Sequence, residues 1–133
     1  MRRVFADTSA LLALVVPEDR LHGTASRTLG RLRERDVELV TTSYVLVESH
    51  ALLGRRIGLA AVRAFREKVE PNLAVVWVDE ELHERGLDLL LTRGIRDLSL
   101  VDAVSFVVCR EEGIDEVFAF DRHFTDEGFS LVR

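Results

Sequence analysis

The sequence predicts an α/β fold of three layers (αβα), with a central, mostly parallel twisted sheet of four to five strands. Two observations lead to this prediction. Several short runs are apolar throughout rather than alternating, which is typical of strands buried on both faces. Longer segments with helical spacing of apolar residues separate these runs, so consecutive strands need crossover connections and run parallel.

The predicted strands are short runs that stop at polar or turn-forming residues. They are RRVFA (2–6), VELVT (37–41), LAVVWV (73–78) and EVFAF (116–120), with FSLV (129–132) as the candidate fifth strand.

The segments between the strands carry helix signals. Apolar residues recur every three or four positions, as from Leu21 to Leu32. Proline and glycine mark most of the helix ends, at Pro17, Gly58, Pro71 and Gly113. The predicted helices span residues 8–16, 18–35, 43–56, 59–69, 80–93 and 98–113.

Composition indicates a globular chain, which we expect to form one domain over residues 1–133. Hydrophobic residues make up 47% and charged residues 31% of the sequence, as in ordinary globular proteins. The single cysteine, Cys109, excludes an internal disulfide, and its apolar neighbours predict a buried structural thiol. No apolar run approaches the roughly 18 residues of a membrane span, and the N-terminus lacks a signal-peptide core. We therefore expect a cytoplasmic protein without membrane association.

The basic residues are almost all arginine. The formal net charge of −5 is not typical of nucleic-acid-binding proteins. However, Lys68 is the one lysine among 18 basic residues, and the planar guanidinium of arginine suits phosphate recognition. The arginines cluster in residues 27–35, 54–58 and 62–68. Contact with a nucleic-acid backbone and simple solvation of helix faces both explain these clusters.

Two aspartates follow predicted strands directly. Asp7 ends the run VFAD, and Asp121 ends the run VFAFD near the other end of the chain. Aspartate is also a good turn residue, so each one alone needs no further explanation. In open parallel sheets, however, ligands bind outside the carboxyl ends of the strands, where the strand order reverses. The pair therefore predicts a shared site at that edge.

Glu48 interrupts an apolar helix surface. On a helix its neighbours one turn away include Tyr44, Val45 and Leu52, and a buried ionised carboxylate is costly unless it is paired or bound to metal. A glutamate at the edge of the buried stripe, reaching water or pairing with Arg55, explains the same pattern.

Asp102 has a strong structural explanation of its own. Ser99 and Asp102 fit the S-x-x-D capping box at the start of a helix that is otherwise apolar from Leu100 to Cys109, Ser105 apart. Capping and catalysis are compatible, because a carboxylate in the first turn is held rigidly and points toward the strand ends.

The four acids together indicate a metal site. A doubly wound sheet brings Asp7, Glu48, Asp102 and Asp121 to one edge, and like charges there repel unless a cation neutralises them. Oxygen ligands select hard cations, here Mg²⁺ or Mn²⁺. Such an ion activates water and stabilises charge in the transition state, so the chemistry favoured is hydrolysis of a phosphodiester.

Four segments resemble the PIN-domain ribonucleases, especially the VapC-type toxins of type II toxin–antitoxin systems. They are VFADTSALLAL, TTSYVLVESHALL, LSLVDAVSFVVCREEGI and VFAFDRHFTDEGF, in this order across essentially the whole chain.

The resemblance implies a metal-dependent endoribonuclease. Asp7, Glu48, Asp102 and Asp121 match the catalytic, metal-binding acids of the family. Ser9 matches a hydroxyl residue that holds the acids or a water in place. We assign Ser99 the same supporting role because it caps the helix of Asp102. The partners implied are an RNA substrate, a cognate antitoxin protein and a second copy of the chain in a homodimer.

Other interpretations compete with this one. A non-catalytic PIN scaffold that binds RNA or a partner protein is the alternative from a different class, and loss of an acid would be its mark. A haloacid-dehalogenase-type phosphohydrolase also begins with a strand-ending aspartate, but it needs a second aspartate where Ser9 stands and a lysine late in the chain. A phosphoreceiver domain likewise needs a lysine after the fourth strand, which this sequence lacks. We expect His22, His50, His83 and His123 to have surface or packing roles.

Overall fold

The computed structural model describes residues 1–132. Strands and helices alternate as follows: β1 (Arg2–Ala6), α1 (Thr8–Val15), α2 (His22–Glu34), β2 (Val37–Thr42), α3 (Ser43–Arg56), α4 (Leu59–Lys68), a 3₁₀ turn (Glu70–Asn72), β3 (Leu73–Val76), α5 (Glu80–Arg93), α6 (Leu100–Glu112), β4 (Glu116–Phe118), α7 (His123–Asp126) and β5 (Ser130–Leu131).

One sheet forms the middle layer. Its strand order is β3-β2-β1-β4-β5, and all neighbouring strands are parallel. The chain leaves β1 toward β2 on one side and later returns to place β4 on the other side. The strand order therefore reverses between β1 and β4, which is where open α/β sheets bind ligands. The predicted α/β class, with a parallel sheet and three layers, is confirmed.

The third and fourth strands are shorter than predicted. β3 ends at Val76 because its partner residue, Thr42, is the last residue of β2 before α3 begins. β4 ends at Phe118 because the next backbone groups bond elsewhere: the amide of Phe120 donates to Ser9 Oγ. The segment predicted as one helix over 18–35 begins only at His22, and the short helix α7 occupies what was expected to be a turn.

Side-chain caps define where the site-bearing helices start. Thr42 Oγ1 accepts from the amide of Val45 at the start of α3. The capping box predicted at the start of α6 is present, with Ser99 and Asp102 each accepting from the backbone of the other. At the far end of α6, Gly113 has a left-handed conformation (φ 67°) that glycine adopts without steric cost.

Aromatic side chains fill the core between the sheet and α6. Phe106 packs edge-on against Phe124, with ring centroids 5.1 Å apart, and Phe5 and Phe129 pack against the same ring. Cys109 is buried in this core, and burial raises the pKa of its thiol to about 12, as expected of a structural cysteine. Phe124 belongs to α7, so its burial in the core holds this short helix against the end of β4.

Within residues 1–132, no helix has the length and apolar character needed to cross a bilayer.

Gly86 sets the distance between α5 and α6. A β-carbon on Gly86 would lie 2.4 Å from Val104 Cγ2 and 3.2 Å from Val104 Cα. Because the second of these atoms belongs to the backbone, the helices cannot relieve the clash by moving a side chain alone.

We expect Gly86→Ala to lower the free energy of unfolding by roughly 1–3 kcal/mol, the usual cost of overpacking a core. Gly30→Ala is the matched control: this residue lies within α2, and an added β-carbon meets nothing within 4 Å. The control should be stabilised by about 0.4–1 kcal/mol because alanine restricts the unfolded chain. Urea denaturation of both variants measures the difference, and equal stability would mean that α5 and α6 do not pack this closely.

Candidate metal centre

All four predicted acids line one cleft at the C-terminal edge of the sheet. The cleft has a volume of about 350 Å³ and lies where the strand order reverses. The two predicted serines line it as well, and one arginine reaches it. Its lining comprises Asp7, Thr8, Ser9, Leu12, Glu48, Leu52, Arg56, Ser99, Asp102 and Asp121.

Asp7 is buried at the end of the central strand. Its side chain is only 2% exposed, and its amide donates to the carbonyl of Phe118 on β4 (3.0 Å). The residue caps α1, because Oδ2 accepts from the amide (3.3 Å) and the hydroxyl (2.8 Å) of Ser9. Thr41 Oγ1 donates to the carbonyl of Ala6 (2.8 Å), which ties the end of β1 to β2. The carboxylate therefore has a single position.

Ser9 joins the ends of β1 and β4. Its hydroxyl donates to Asp7 Oδ2 and accepts from the amide of Phe120, 2.9 Å away. Because a hydroxyl can donate and accept at once, one side chain orients the carboxylate and holds the loop that leads to Asp121. The resemblance implied a supporting role for Ser9, and this contact is compatible with that role.

Asp102 enters the cleft from the first turn of α6 and is 8% exposed. Its Oδ2 accepts from the amide of Ser99 (3.3 Å), while Ser99 Oγ accepts from the amide of Asp102 (3.1 Å). The cap uses one carboxylate oxygen, and the residue still lines the cleft. The predicted capping box is therefore confirmed, and the position of Asp102 in the cleft is compatible with the predicted metal site.

Asp121 and His123 face Asp102 across the cleft. Asp121 Oδ1 accepts from the amide of His123 (2.9 Å), and His123 Nε2 lies 4.0 Å from the same oxygen. One ligand atom from each of the three residues lies within 4.8 Å of the others. This trio is the tightest arrangement of candidate metal ligands in the described part of the chain.

We predicted a surface or packing role for His123, as for the other histidines, but its ring lies beside the acids. The other histidines do make packing contacts: His22 Nδ1 with the carbonyl of Ala13, His50 with Glu70, and His83 with the hydroxyl of Tyr44. His123 instead points to the acids. The available signal was its position two residues after Asp121, where an aspartate commonly accepts from the backbone and folds the chain back on itself.

Glu48 lies half-buried on α3 and lines the same cleft. The alternative pairing with Arg55 is not formed, since Glu48 makes no ion pair with any residue among 1–132. The neighbouring arginine that does reach the cleft is Arg56.

Burial and mutual repulsion make the carboxylates hard to ionise. Desolvation, with a smaller contribution from the charge of Asp102, raises the pKa of Asp7 to about 7 against the hydrogen bonds from Ser9. Desolvation and the charge of Asp121 also raise the pKa of Asp102. In addition, Asp7 Oδ1 is buried without a hydrogen-bond partner. An unpartnered buried oxygen among repelling carboxylates fits a hard divalent cation, which would satisfy the oxygen and remove the repulsion.

We expect Asp7→Asn to stabilise the metal-free protein at high pH. The folded-state pKa of Asp7 is above its ordinary value, so the stability contributed by its proton is complete below about pH 4 and is lost as pH rises through about 7. At about 1.4 kcal/mol per pKa unit, the advantage of asparagine should grow by about 3 kcal/mol between pH 4.5 and pH 8.

Urea denaturation in EDTA at both pH values measures this advantage, with Asp88→Asn on exposed α5 as the control that should show none. Adding Mg²⁺ or Mn²⁺ at pH 8 should reduce it by stabilising the wild-type protein. An advantage that does not change with pH would show that Asp7 ionises equally in the folded and unfolded states.

Comparison with known proteins identifies the family. The PIN-domain profile matches residues 4–129. The chain is 37% identical over 131 residues to the 23S rRNA-specific endonuclease VapC20 of Mycobacterium tuberculosis, with 98% of both chains covered.

Solved structures agree with this match. The crystal structure of M. tuberculosis VapC20, a sarcin-ricin loop cleaving toxin, aligns with a TM-score of 0.84 at 38% identity over 98% of both chains. PAE2754 from Pyrobaculum aerophilum (TM-score 0.65, 20% identity, 97% of this chain and 87% of that one) shares the fold. FitAcB from Neisseria gonorrhoeae (TM-score 0.68, 14% identity, 98% and 96%) does so as well. The resemblance seen in the four sequence segments is confirmed, and the chain belongs to the PIN-domain family.

Proposed function

We propose that this protein is a divalent-metal-dependent endoribonuclease, a single PIN domain over residues 1–133 that acts as the toxin of a toxin–antitoxin pair. One observation carries the proposal: Asp7, Glu48, Asp102 and Asp121, from four separate segments, line one cleft in a chain 37% identical to an rRNA-specific endonuclease. A scaffold that had lost catalysis would have no reason to keep four mutually repelling acids together.

The acids would hold Mg²⁺ or Mn²⁺, which when bound lowers the pKa of water and stabilises negative charge on the phosphate. The residues of the chain supply rigidity. Ser9 fixes the orientation of Asp7, and the capping box fixes Asp102. Within residues 1–132, Glu48 makes no ion pair that would compete, so its carboxylate is available to the ion or to a water on the substrate side of the cleft.

Structured ribosomal RNA is the substrate class that we propose. The support is the similarity over 98% of the chain to a protein that cleaves 23S rRNA. This protein would then act in the cytoplasm, where ribosomes are. Specificity within RNA would come from the surface around the cleft rather than from the acids, because the acids meet only the scissile phosphate and its water.

The arginines near the cleft would hold the RNA backbone. Arg56, at the end of α3, lines the cleft together with the acids. Arg33 and Lys68 line a different cleft, between α1, α2 and α4. The structure therefore favours the cluster at 54–58 over the cluster at 27–35 as the part that meets the RNA.

A cognate antitoxin would block the same region. The acidic cleft adjoins an apolar groove, since both include Leu12, Leu52 and Arg56. A partner segment with an apolar stretch next to a charged residue would fill both. The remaining groove residues are Val16, Asp19, Leu53 and Ile57.

We also propose a homodimer, built on a different surface. Val47 on α3, Trp77 after β3 and Leu91 on α5 are large apolar side chains that are mostly exposed. α3 and α5 adjoin through the contact of Tyr44 with His83. Apolar side chains on adjoining elements are typical of a surface that a second subunit covers.

We expect Asp102→Asn to abolish cleavage of a labelled structured RNA containing an rRNA stem-loop. Asparagine keeps the side-chain oxygen that caps α6 but removes the charge, so the protein should stay folded while the rate falls by at least about 100-fold, as for loss of one stabilising charge group. Cleavage by the wild-type protein should require Mg²⁺ or Mn²⁺ and stop in EDTA. Asp88→Asn, on the exposed face of α5, is the matched control and should cleave normally.

Equal cleavage by wild type and Asp102→Asn would assign the activity to a contaminant or another site. RNA binding without cleavage by the wild-type protein, across several RNAs and both metals, would favour the scaffold.

We expect Arg56→Ala to weaken RNA binding and to lower the slope of log K against log [salt] by about 1, as for one lost phosphate contact. Arg27→Ala is the control, since Arg27 is an exposed arginine on α2 whose guanidinium contacts Thr24 of its own helix. Filter binding in the Asp102→Asn background, at several salt concentrations, separates binding from cleavage. A loss with Arg27→Ala instead would move the RNA path to α2.

A further inference from the structure

We propose that His123 supplies a nitrogen ligand to the divalent cation held by Asp102 and Asp121, so that the site has mixed nitrogen and oxygen ligands and prefers Mn²⁺ to Mg²⁺. The proposal rests on the metal site of the proposed function and adds His123 to the four acids.

The distances fit a shared ion. Ligand atoms on one octahedral ion, at about 2.0–2.1 Å from the metal, lie roughly 3 Å apart when adjacent and about 4 Å apart when opposite. His123 Nε2 is 4.0 Å from Asp121 Oδ1, and the three candidate ligand atoms all lie within 4.8 Å of one another. Small side-chain rotations bring all three into this range.

The backbone holds His123 in place. Its amide donates to Asp121 Oδ1, so the histidine and the aspartate are fixed as a pair. Its side chain is 15% exposed and sits above the buried Phe124, which belongs to the aromatic core. The ring is therefore largely shielded from solvent and held next to Asp121.

Glu127 secures the other end of α7. Its amide donates to the carbonyl of His123 (3.1 Å), and its buried carboxylate accepts from Arg93 and from Arg110, at 2.6 Å and 2.7 Å. These arginines belong to α5 and α6, so the turn that carries His123 is tied to the same helix that carries Asp102. This connection keeps the histidine and the acid in register.

The ring nitrogens of His123 are otherwise unused. Among residues 1–132, the other three histidines each contact a carbonyl, a carboxylate or a hydroxyl, whereas the ring of His123 makes no hydrogen bond. A separate observation also points to an ion in this cleft: the buried Oδ1 of Asp7, 2% exposed as a residue, has no partner. A cation shared by the acids and His123 would use both.

The ligand set predicts the choice of metal. Mn²⁺ is bound well by oxygen ligands and is the weakest nitrogen binder of the first-row divalent ions, but as a transition ion it accepts an imidazole more readily than Mg²⁺, which keeps to carboxylates and water. Removing the imidazole should therefore weaken the binding of Mn²⁺ much more than the binding of Mg²⁺.

The test is pulsed electron paramagnetic resonance of Mn²⁺ bound to the full-length protein, which detects ¹⁴N directly coordinated to the ion. We expect nitrogen coupling in the wild type and in His83→Ala, the matched control whose ring contacts Tyr44. The coupling should be lost in His123→Ala and in His123→Gln, the second of which keeps a polar side chain at the start of α7. Titration should show a roughly 10-fold loss of Mn²⁺ affinity in both His123 variants, the size of effect typical of altered ligand shells, and less than a twofold loss for Mg²⁺.

The outcomes separate this inference from the proposed function. Bound Mn²⁺ without nitrogen coupling in the wild type, or coupling that survives in both His123 variants, overturns the role of His123 and leaves the acidic nuclease site intact. Absence of Mn²⁺ and Mg²⁺ binding to the wild type, or binding unchanged by Asp102→Asn, overturns the metal site itself and with it this inference.

Discussion

The hydrogen bonds of Ser9 are the interaction on which the rest of the site depends. Its hydroxyl donates to the carboxylate of Asp7 after β1 and accepts from the amide of Phe120 after β4. Ser9 and Phe120 are 111 residues apart in the sequence. The sheet brings these strand ends together, but parallel strands that diverge at their ends leave backbone groups unpaired. Ser9 accepts a hydrogen bond from one such group, the amide of Phe120, and this bond sets the spacing between Asp7 and the loop of Asp121.

That arrangement has an energetic cost that a proton or a bound cation relieves. Asp7 is buried with one oxygen unpartnered, and its neighbour Asp102 is also shielded from water. Burial and like charge act in the same direction on both groups, raising the pKa of each. A fold selected for stability alone would replace such acids with neutral residues. Keeping such acids lowers stability locally, a cost that is common at functional sites.

Structural and functional roles coincide in α6. Ser99 and Asp102 form a capping box that would be sufficient reason for both residues in any helix. The same cap restrains the side chain of Asp102, which lines the cleft. At the opposite wall, Glu127 links α7 to α5 and α6 through two arginines. The site is therefore built on helix ends and ion pairs that also stabilise the fold, which explains how its groups are held without a separate scaffold.

The four acids of the site are predicted from their combination and from the family resemblance. Local pattern in the sequence determined the parallel α/β class, the capping box and, apart from α7, the strands and helices to within a few residues. These features depend on spacings of two to four residues or on the residue after a strand, so a single segment contains the information. Tertiary structure alone decided that Ser9 meets Phe120, that Arg56 rather than Arg55 reaches the cleft, and that His123 faces Asp102. Those contacts join segments far apart in the chain, and they follow from the strand order β3-β2-β1-β4-β5. Periodicity does not encode this order, because strands with the same apolar pattern can be arranged in many orders.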